Sequence, residues 1–425
     1  PPRASRRQRQ MCIRDRLEDG QVLASGGNPF DNSTSAFNPQ TFSWSSLAKM
    51  NDNRWYATNV TLPGNEVFST FGKESANRSE RYNPDANLWT RTNGANMQSL
   101  VDELNSENAQ TVRNTASTHQ WWAQMAVAPN GEVFQGGPTQ TWHMFNPSGV
   151  GGTRSLGQPS GQRTRMWGNI VTYDVGKVIM LGGSDRTSIT PTVANNVYLV
   201  DLNGATPQIS QGPSMNIART LTNSVVLPSG EVVVIGGNTT GELFEDADAV
   251  YEAEIWNPQT NQFTLAASMD IPRTYHSTAL LMKDGRVISM GGGACGNCDA
   301  NHLDGQVFTP PNLIDSNGNL LPRPTLGQVP VSSKAGETIT VTASADTVKY
   351  SMIRLAGTSH AMNTDQRYVP VSATTNSDGT VDLEMHANPN VLIPGYNWLY
   401  ALNSQGTPSI GETIRIVRAE GEVEN

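Results

Sequence analysis

The sequence predicts an all-β protein in which a β-propeller is followed by a smaller β-sandwich. Three observations support this prediction. A strand that ends in glycine recurs six times, an arginine motif recurs in step with it, and the C-terminal part of the chain changes to short alternating strands.

The recurring strand begins at a turn, continues with β-branched or apolar residues and ends at glycine, where a bulky side chain would not fit. Its copies are Asp19–Gly27, Asn65–Gly72, Gly131–Gly137, Gly176–Gly183, Gly230–Gly237 and Gly285–Gly292. A repeat of roughly 40–60 residues with this pattern is typical of propellers built from four-stranded blades. A single β-sandwich is the alternative, but it gives no reason for six similar strands.

An arginine followed two residues later by a large side chain precedes four of these strands. The arginines are Arg54, Arg165, Arg219 and Arg273, and the large residues are Tyr56, Trp167, Leu221 and Tyr275. Because blades are related by rotation about one axis, equivalent positions form a ring around it. We therefore expect these four side chains, with His276 beside Tyr275, to converge at the propeller centre.

Composition limits the choice of partners. The 425 residues allow two domains, and the net charge of −9 with a pI near 5.2 argues against nucleic acid or an anionic membrane surface as a partner. No apolar run approaches the roughly 20 residues of a spanning helix. Residues 1–16 contain six arginines and neither repeat, so we expect a non-native or disordered segment there.

The only cysteine pair with a motif spacing is Cys295 and Cys298. A redox motif and half of a zinc site are both alternatives, but no βαβ pattern and no second cysteine pair accompany it. A local disulfide is the preferred interpretation, and it indicates an oxidising, extracellular location.

The repeat stops after Pro311, which gives the expected domain boundaries. We expect a propeller over 17–311, a linker over 312–324, an immunoglobulin-like β-sandwich over 325–418 and a tail over 419–425. The sandwich contains one unusual loop, 357–367, in which His360 lies between small residues and a polar run follows.

Several motifs in order resemble the copper radical oxidases, the family of galactose oxidase and the glyoxal oxidase-like enzymes. They are Tyr275-His276-Ser277, the triple glycine 291–293, the cysteine pair, Asn301-His302, Phe308-Thr309-Pro310, Ser359-His360 and Asn363–Arg367. The resemblance covers about residues 17–418. It implies a kelch-type propeller of seven blades, whereas six strand signatures are visible, which suggests a truncated start.

The resemblance also implies a copper ion held by two tyrosines and two histidines. By residue matching, Tyr275 is the axial tyrosine and proton acceptor, Tyr56 the radical-bearing tyrosine, and His276 and His360 the histidine ligands. Imidazole and phenolate suit Cu(II), and an oxidisable tyrosine supplies the second electron that one copper ion lacks. Taken singly, Tyr56 would be read as core packing and His360 as an ordinary loop histidine, and His302 is expected to bond backbone near the disulfide.

Some positions depart from the family pattern. The cysteine that cross-links the radical tyrosine would fall at Met11, one residue from Cys12, so the cross-link is in doubt. Glu74 occupies the position of a stacking tryptophan in the family, and Thr118, beside His119, occupies that of a sugar-binding arginine. Of the aromatic residues that the resemblance implies around the substrate, Phe244 alone is expected to form an aromatic wall. Glu74, His119 and Phe244 are the predicted pocket residues, and galactose is not the expected substrate.

The sequence therefore predicts a secreted, monomeric copper radical oxidase that acts on a small alcohol or aldehyde with O₂ and produces H₂O₂. Another carbohydrate remains an open substrate class. The alternative is a non-catalytic propeller that binds carbohydrate or protein through its loops.

Overall fold

The N-terminal domain is a ring of antiparallel sheets, which we call blades 1 to 6 in chain order. The computed structural model describes residues 13–27, 31–72, 77–97, 121–185 and 192–419. In these residues blades 1 to 5 have four strands each and blade 6 has three. The seventh blade that the family resemblance implies is not among the described residues.

The strands of the first three blades follow one another without crossovers. Blade 1 contains β1 (Ile13–Arg16), β2 (Val22–Ser25), β3 (Thr34–Asn38) and β4 (Ser43–Leu47); blade 2 contains β5 (Thr58–Thr61), β6 (Val67–Thr70), β7 (Glu80–Asn83) and β8 (Leu88–Arg91); blade 3 contains β9 (Gln124–Val127), β10 (Val133–Gly137), β11 (Trp142–Asn146) and β12 (Gly152–Gly157).

The remaining blades repeat this arrangement. Blade 4 contains β13 (Asn169–Asp174), β14 (Lys177–Leu181), β15 (Tyr198–Asp201) and β16 (Gln208–Gln211); blade 5 contains β17 (Asn223–Val226), β18 (Val232–Ile235), β19 (Glu252–Asn257) and β20 (Gln262–Ser268); blade 6 contains β21 (Ser277–Leu281), β22 (Val287–Gly291) and β23 (Gly305–Phe308). The first strands of successive blades pack against each other around the centre. The six predicted glycine strands correspond to the second strand of each blade, so the propeller prediction is confirmed.

The arginine and glycine motifs hold neighbouring blades together. Arg219 is fully buried, and its guanidinium donates to the backbone oxygen of Glu252 (2.8 Å) and to the carboxylate of Glu254 (2.7 Å) within its own blade. The backbone oxygen of the same arginine accepts a hydrogen bond from Gly183 of the preceding blade at 3.0 Å. A Cβ atom on Gly182 would lie 2.5 Å from that oxygen. The preceding blade therefore needs glycine there because the two backbones approach so closely.

The same contact recurs around the ring. Gly27 donates to the Arg54 carbonyl at 3.1 Å, and Gly237 donates to the Arg273 carbonyl at 2.8 Å. Arg54 and Arg273 are also fully buried and pair with Glu80 and Asp304 of their own blades. At Arg54, Arg219 and Arg273 the two sequence motifs are thus the two halves of one contact between blades.

The C-terminal domain is an eight-stranded sheet that curls around its own core. A short 3₁₀ helix, Pro311–Leu313, precedes it. Its strands are β24 (Leu326–Gly327), β25 (Ser332–Lys334), β26 (Thr338–Ala343), β27 (Thr347–Arg354), β28 (Tyr368–Thr375), β29 (Val381–Glu384), β30 (Gly395–Asn403) and β31 (Glu412–Val417), in the order β24-β26-β29-β28-β27-β30-β31-β25. The predicted immunoglobulin-like all-β domain is confirmed, and its strands pair in one curled sheet.

The loop between β27 and β28 reaches into the propeller. Its Gln366 side chain donates to the backbone oxygen of Ser224 (2.8 Å) and accepts from the Val226 amide (3.1 Å). Thr364 donates to the backbone oxygen of Asn59 at 2.8 Å. These bonds to blades 2 and 5 fix the loop in the central channel, and the loop carries His360. No helix among the described residues is long and apolar enough to cross a membrane.

Candidate metal centre

The segment before the first strand of several blades turns through a left-handed residue. These residues are Tyr56 (φ 62°), Trp122 (φ 51°), Trp167 (φ 56°), Leu221 (φ 58°) and His276 (φ 66°). Non-glycine residues seldom adopt this conformation, and those that do concentrate at functional sites. The repeated turn directs one side chain per blade toward the centre of the ring.

The predicted convergence at the propeller centre is confirmed. Tyr56, Trp167, Leu221 and Tyr275 are buried together in one cluster, which also includes Trp122 and, from the C-terminal loop, Met362. In blade 6 the left-handed residue falls one position later than in the other blades. This shift accompanies the placement of both Tyr275 and His276 at the centre, where their rings stack.

The four residues predicted to bind copper lie within one group of contacting rings. Tyr275 and His276 stack with ring centroids 3.8 Å apart, and the two histidine rings, His276 and His360, are 5.0 Å apart. The Tyr56 ring lies edge-on to His360 at 5.1 Å. Three separate parts of the chain, in blade 2, blade 6 and the C-terminal loop, therefore meet here.

The hydrogen bonds of His276 favour metal binding through Nε2. Its Nδ1 bonds the backbone oxygen of Gly293, and because a carbonyl can only accept, Nδ1 carries the proton. Its Nε2 is buried and has no hydrogen-bond partner among the described residues. Fixing one ring nitrogen by hydrogen bonding while the other faces the site is the usual arrangement of metal-binding histidines. His360 is held in a similar way, with Nδ1 2.8 Å from the hydroxyl of Ser359.

The donor set therefore fits copper. Imidazole nitrogen and phenolate oxygen suit Cu(II) in a tetragonal geometry. Among the described residues, no group of three or more histidine, cysteine, aspartate or glutamate side chains is placed to hold a metal ion. Tyr56 and Tyr275 are the phenolic side chains in the same group of rings that could join His276 and His360 as ligands.

Burial shifts the pKa of two of these residues in the metal-free protein. Desolvation raises the pKa of Tyr56, and hydrogen bonds with the side chains of Tyr275 and Trp55 oppose the rise. Desolvation lowers the pKa of His276, while its bond to the Gly293 carbonyl acts in the opposite direction. Because a metal ligand must be deprotonated, a low pKa favours His276 as a ligand and a raised pKa means that Tyr56 needs the metal charge to ionise.

Three tryptophans that the sequence reasoning did not select surround Tyr56. Trp55 stacks on the Tyr56 ring at 4.6 Å with an interplanar angle of 24°, Trp122 lies 4.3 Å away, and Trp121 approaches edge-on at 5.0 Å. The expectation that Phe244 alone forms an aromatic wall is therefore wrong. Trp55 is adjacent to Tyr56 in the sequence. Its position in Arg54-Trp55-Tyr56, beside a residue expected at the propeller centre, could have indicated this contact.

Phe244 lies beside two of the predicted metal ligands, and its role in a substrate pocket stays a prediction. Its ring is half-buried and contacts Tyr275 at 5.2 Å and His276 at 5.8 Å. Glu74, Thr118 and His119 lie outside the described residues, as do Met11 and Cys12, so their predicted roles remain predictions.

Two further predictions concern the segment after β22. Cys295 and Cys298 form the predicted disulfide. The expectation that His302 bonds backbone is wrong, because its Nε2 lies 2.8 Å from a carboxylate oxygen of Asp246. Asp246 is 56 residues from His302 in the sequence, so the motif around His302 could not predict this contact.

Two family models match the chain. Residues 323–416 match "Galactose oxidase-like, Early set domain", and residues 200–302 match "Glyoxal oxidase N-terminus". The second match includes Tyr275 and His276, and the first includes His360.

Curated proteins with similar sequences include galactose oxidase of Gibberella zeae, which is 33% identical over 416 residues. That alignment covers 94% of this chain and 59% of the relative, so the chain spans about three fifths of the relative's length. Aldehyde oxidase GLOX1 of Arabidopsis thaliana is 24% identical over 404 residues, which is 86% of this chain and 64% of that protein.

A solved structure is similar over nearly the whole chain. It is described as a novel fungal alcohol oxidase with catalytic diversity among the AA5 family, in complex with copper. The TM-score is 0.85 at 30% identity, and the match covers 96% of this chain and 85% of the other.

Proposed function

We propose that this chain, which belongs to the copper radical oxidase family, oxidises a primary alcohol or an aldehyde and reduces O₂ to H₂O₂. The observation that carries this proposal is the convergence of two tyrosines and two histidines from three parts of the chain. The two similar enzymes and the copper-bound structure described above support the same reaction class.

In the proposed site His276 and His360 hold copper through their Nε2 atoms, and Tyr56 and Tyr275 complete the protein ligands. Gly293 and Ser359 orient the two imidazoles through their Nδ1 atoms. Copper, when bound, accepts one electron and stabilises the tyrosines in their deprotonated form.

The two tyrosines have different roles in the proposed reaction. Tyr275 accepts the proton of the substrate hydroxyl, and Tyr56, in its one-electron oxidised form, accepts the hydrogen atom from the substrate carbon. The alcohol thus loses two electrons and two protons, and O₂ gains them as H₂O₂. An aldehyde reacts as its hydrate, which has the hydroxyl and the hydrogen on carbon that the step requires.

The environment of Tyr56 supports its role as the oxidised residue. Trp55 stacks on it, and Trp121 and Trp122 contact it. These rings help to bury Tyr56, which is 8% exposed, and so limit the access of water to a radical on its phenol. Cross-linking to a cysteine is not part of this proposal, because Cys12 lies outside the described residues.

The substrate is proposed to be a small alcohol or aldehyde. The described side chains beside the ligands are mainly aromatic: Trp55 and Trp121 contact Tyr56, and Phe244 contacts Tyr275 and His276. Such walls bury apolar groups and stack on flat ones, and they offer few hydrogen bonds to a sugar. Secretion is proposed as well, because the Cys295–Cys298 disulfide requires an oxidising environment.

The test is peroxide production by the copper-loaded, oxidatively activated protein with small aldehydes, simple primary alcohols and galactose. We expect turnover of the small substrates and at least about 10²-fold less with Tyr275→Phe, since a positioned proton acceptor contributes that much. Tyr56→Phe should remove activity and leave copper bound. The control is Tyr251→Phe, because Tyr251 is exposed and outside the cluster.

Undiminished turnover by Tyr56→Phe would contradict the proposed radical role. Copper-loaded protein without turnover on any of these substrates would favour a propeller that binds ligands without catalysis.

A further inference from the structure

The backbone of Gly292–Gly293 holds both Tyr275 and His276. The Gly293 amide donates to the backbone oxygen of Tyr275 at 2.9 Å. The Gly293 carbonyl accepts from Nδ1 of His276. The position of this dipeptide therefore decides which nitrogen of His276 is protonated and where its ring points.

His302 packs directly on this dipeptide. A Cβ atom built on Gly292 would lie 3.3 Å from Cδ2 of His302, so the imidazole lies against the Gly292 backbone. The neighbouring ring atom, Nε2, donates to the Asp246 carboxylate at 2.8 Å, so one edge of the imidazole contacts both Gly292 and Asp246. Both side chains are mostly buried, with 17% of His302 and 25% of Asp246 exposed.

Asp246 belongs to the loop that carries Phe244. This loop connects β18 and β19, and Asp246 closes a turn in it by accepting from the Ala249 amide at 3.0 Å. Phe244 is two residues away, in a left-handed conformation (φ 62°), and its ring contacts both Tyr275 and His276. The His302–Asp246 bond therefore joins the two segments that enclose these rings.

The disulfide loop fixes the other end of His302. Asn301, immediately before it, accepts from the Ala294 amide (2.7 Å) and donates to the backbone oxygens of Gly296 (2.6 Å) and Cys298 (3.1 Å). His302 is consequently held by Asn301 on its backbone side and by Asp246 on its ring side.

We propose that His302 and Asp246 are positioning residues for the metal centre. Their bond clamps Gly292–Gly293 and the Phe244 loop together, and thereby keeps His276 in the Nδ1-protonated form that presents Nε2. This inference rests on the proposed function, since it assigns His276 to the metal. It adds two residues that act through Gly293 and Phe244 and do not touch copper or substrate.

The test uses Asp246→Asn, His302→Ala, His302→Gln and the double variant Asp246→Asn/His302→Ala. The control is Glu66→Gln, because Glu66 and Arg81 form a similarly buried pair (2.8 Å; 19% and 16% exposed) at the far end of the blade 2 hairpin. Copper affinity is measured by chelator competition, and the bound Cu(II) by electron paramagnetic resonance. Nitrogen chemical shifts of the His276 ring are measured in the metal-free protein.

We expect roughly 10- to 100-fold weaker copper binding for Asp246→Asn and His302→Ala, as for other residues that orient metal ligands. The His276 shifts should move from one tautomer to a mixture, and the paramagnetic spectrum should change. His302→Gln, which keeps a donor, should recover part of the affinity. The double variant should be no weaker than the more affected single variant, because both act through one bond.

Wild-type affinity, spectrum and His276 shifts in folded Asp246→Asn and His302→Ala would overturn the inference, and so would additive losses in the double variant. If wild-type protein itself binds no copper, the proposed function fails, and the His276 shifts of the metal-free variants alone decide whether the clamp exists.

Discussion

Tyr275 and His276 are neighbours in sequence, and their rings nevertheless stack on each other, 3.8 Å apart at 28°. Adjacent side chains of a regular strand point to opposite faces. Here the left-handed turn at His276 (φ 66°) brings both to one side, just before β21 begins. One short segment thereby supplies two of the four candidate ligands.

The first prediction concerns the glycine that supports this segment. Gly293 has φ 77°, and a Cβ atom there would collide with the backbone oxygen of Ala300. Gly293→Ala should therefore lower the free energy of unfolding by more than the roughly 1–2 kcal/mol of the left-handed conformation alone, and should weaken copper binding. Urea unfolding and chelator competition measure the two effects.

Gly296→Ala is the matched control. Gly296 lies in the same disulfide loop with φ 80°, but a Cβ atom there would have nothing within 4 Å. It should show the conformational cost alone and bind copper as the wild type does. Equal effects of the two substitutions would mean that the close approach at Gly293 has no consequence for the site.

The second prediction tests the buried ion pair that holds the arginine of the motif within its own blade. The Arg219–Glu254 pair is fully buried at 2.7 Å, and Glu254 also accepts from the Asn216 and Ile217 amides. Glu254→Gln should destabilise the protein by about 3–5 kcal/mol, because it leaves a buried guanidinium without its counter-charge. Glu132→Gln, which breaks a partly exposed pair with Arg154 (2.8 Å), should cost less than about 1 kcal/mol. If denaturant unfolding showed similar losses of stability for Glu254→Gln and Glu132→Gln, this account of the arginine motif would be refuted.

The third prediction concerns pH. Burial lowers the pKa of His143 in blade 3 from 6.5 to about 4, and its Nδ1 lies 3.0 Å from the side-chain oxygen of Gln135. Between these two values the unfolded chain binds a proton that the folded protein does not, so stability is complete above pH 6.5 and falls as the pH is lowered toward 4. The loss should amount to about 3 kcal/mol.

His143→Gln should remove this part of the pH dependence, as measured by unfolding at a series of pH values. A wild-type slope in His143→Gln would show that another group causes the acid loss.

Repeated motifs made the propeller and most of its central ring predictable. Equivalent positions in different blades must meet at the axis, so Tyr56 and Tyr275 could be placed together from the arginine spacing alone. Trp122 was not predicted to lie in the central ring because its blade has Gln120 at the position of the motif arginine. Trp55 was not predicted to stack on Tyr56 because the family resemblance places the stacking aromatic residue at Glu74. The residue that stacks on Tyr56 is instead its direct neighbour in sequence.

The contact between His302 and Asp246 could not be predicted for a different reason. It joins loops of two blades, 56 residues apart, and neither residue belongs to the repeat. Such contacts depend on loop conformations that vary between blades, and the sequence repeat carries no information about them. His360 was found because of its unusual loop and the family resemblance, not because of periodicity.

The most direct test of the account is a Cu(II) titration of the wild type and of the His276→Ala/His360→Ala double variant, with His386→Ala as the control. The account predicts one tightly bound Cu(II) per chain in the wild type and the control, and none in the double variant, because two phenolates without imidazole make a poor site for copper. Equal stoichiometry and affinity in wild type and double variant would show that the metal centre is not where Tyr56, Tyr275, His276 and His360 converge.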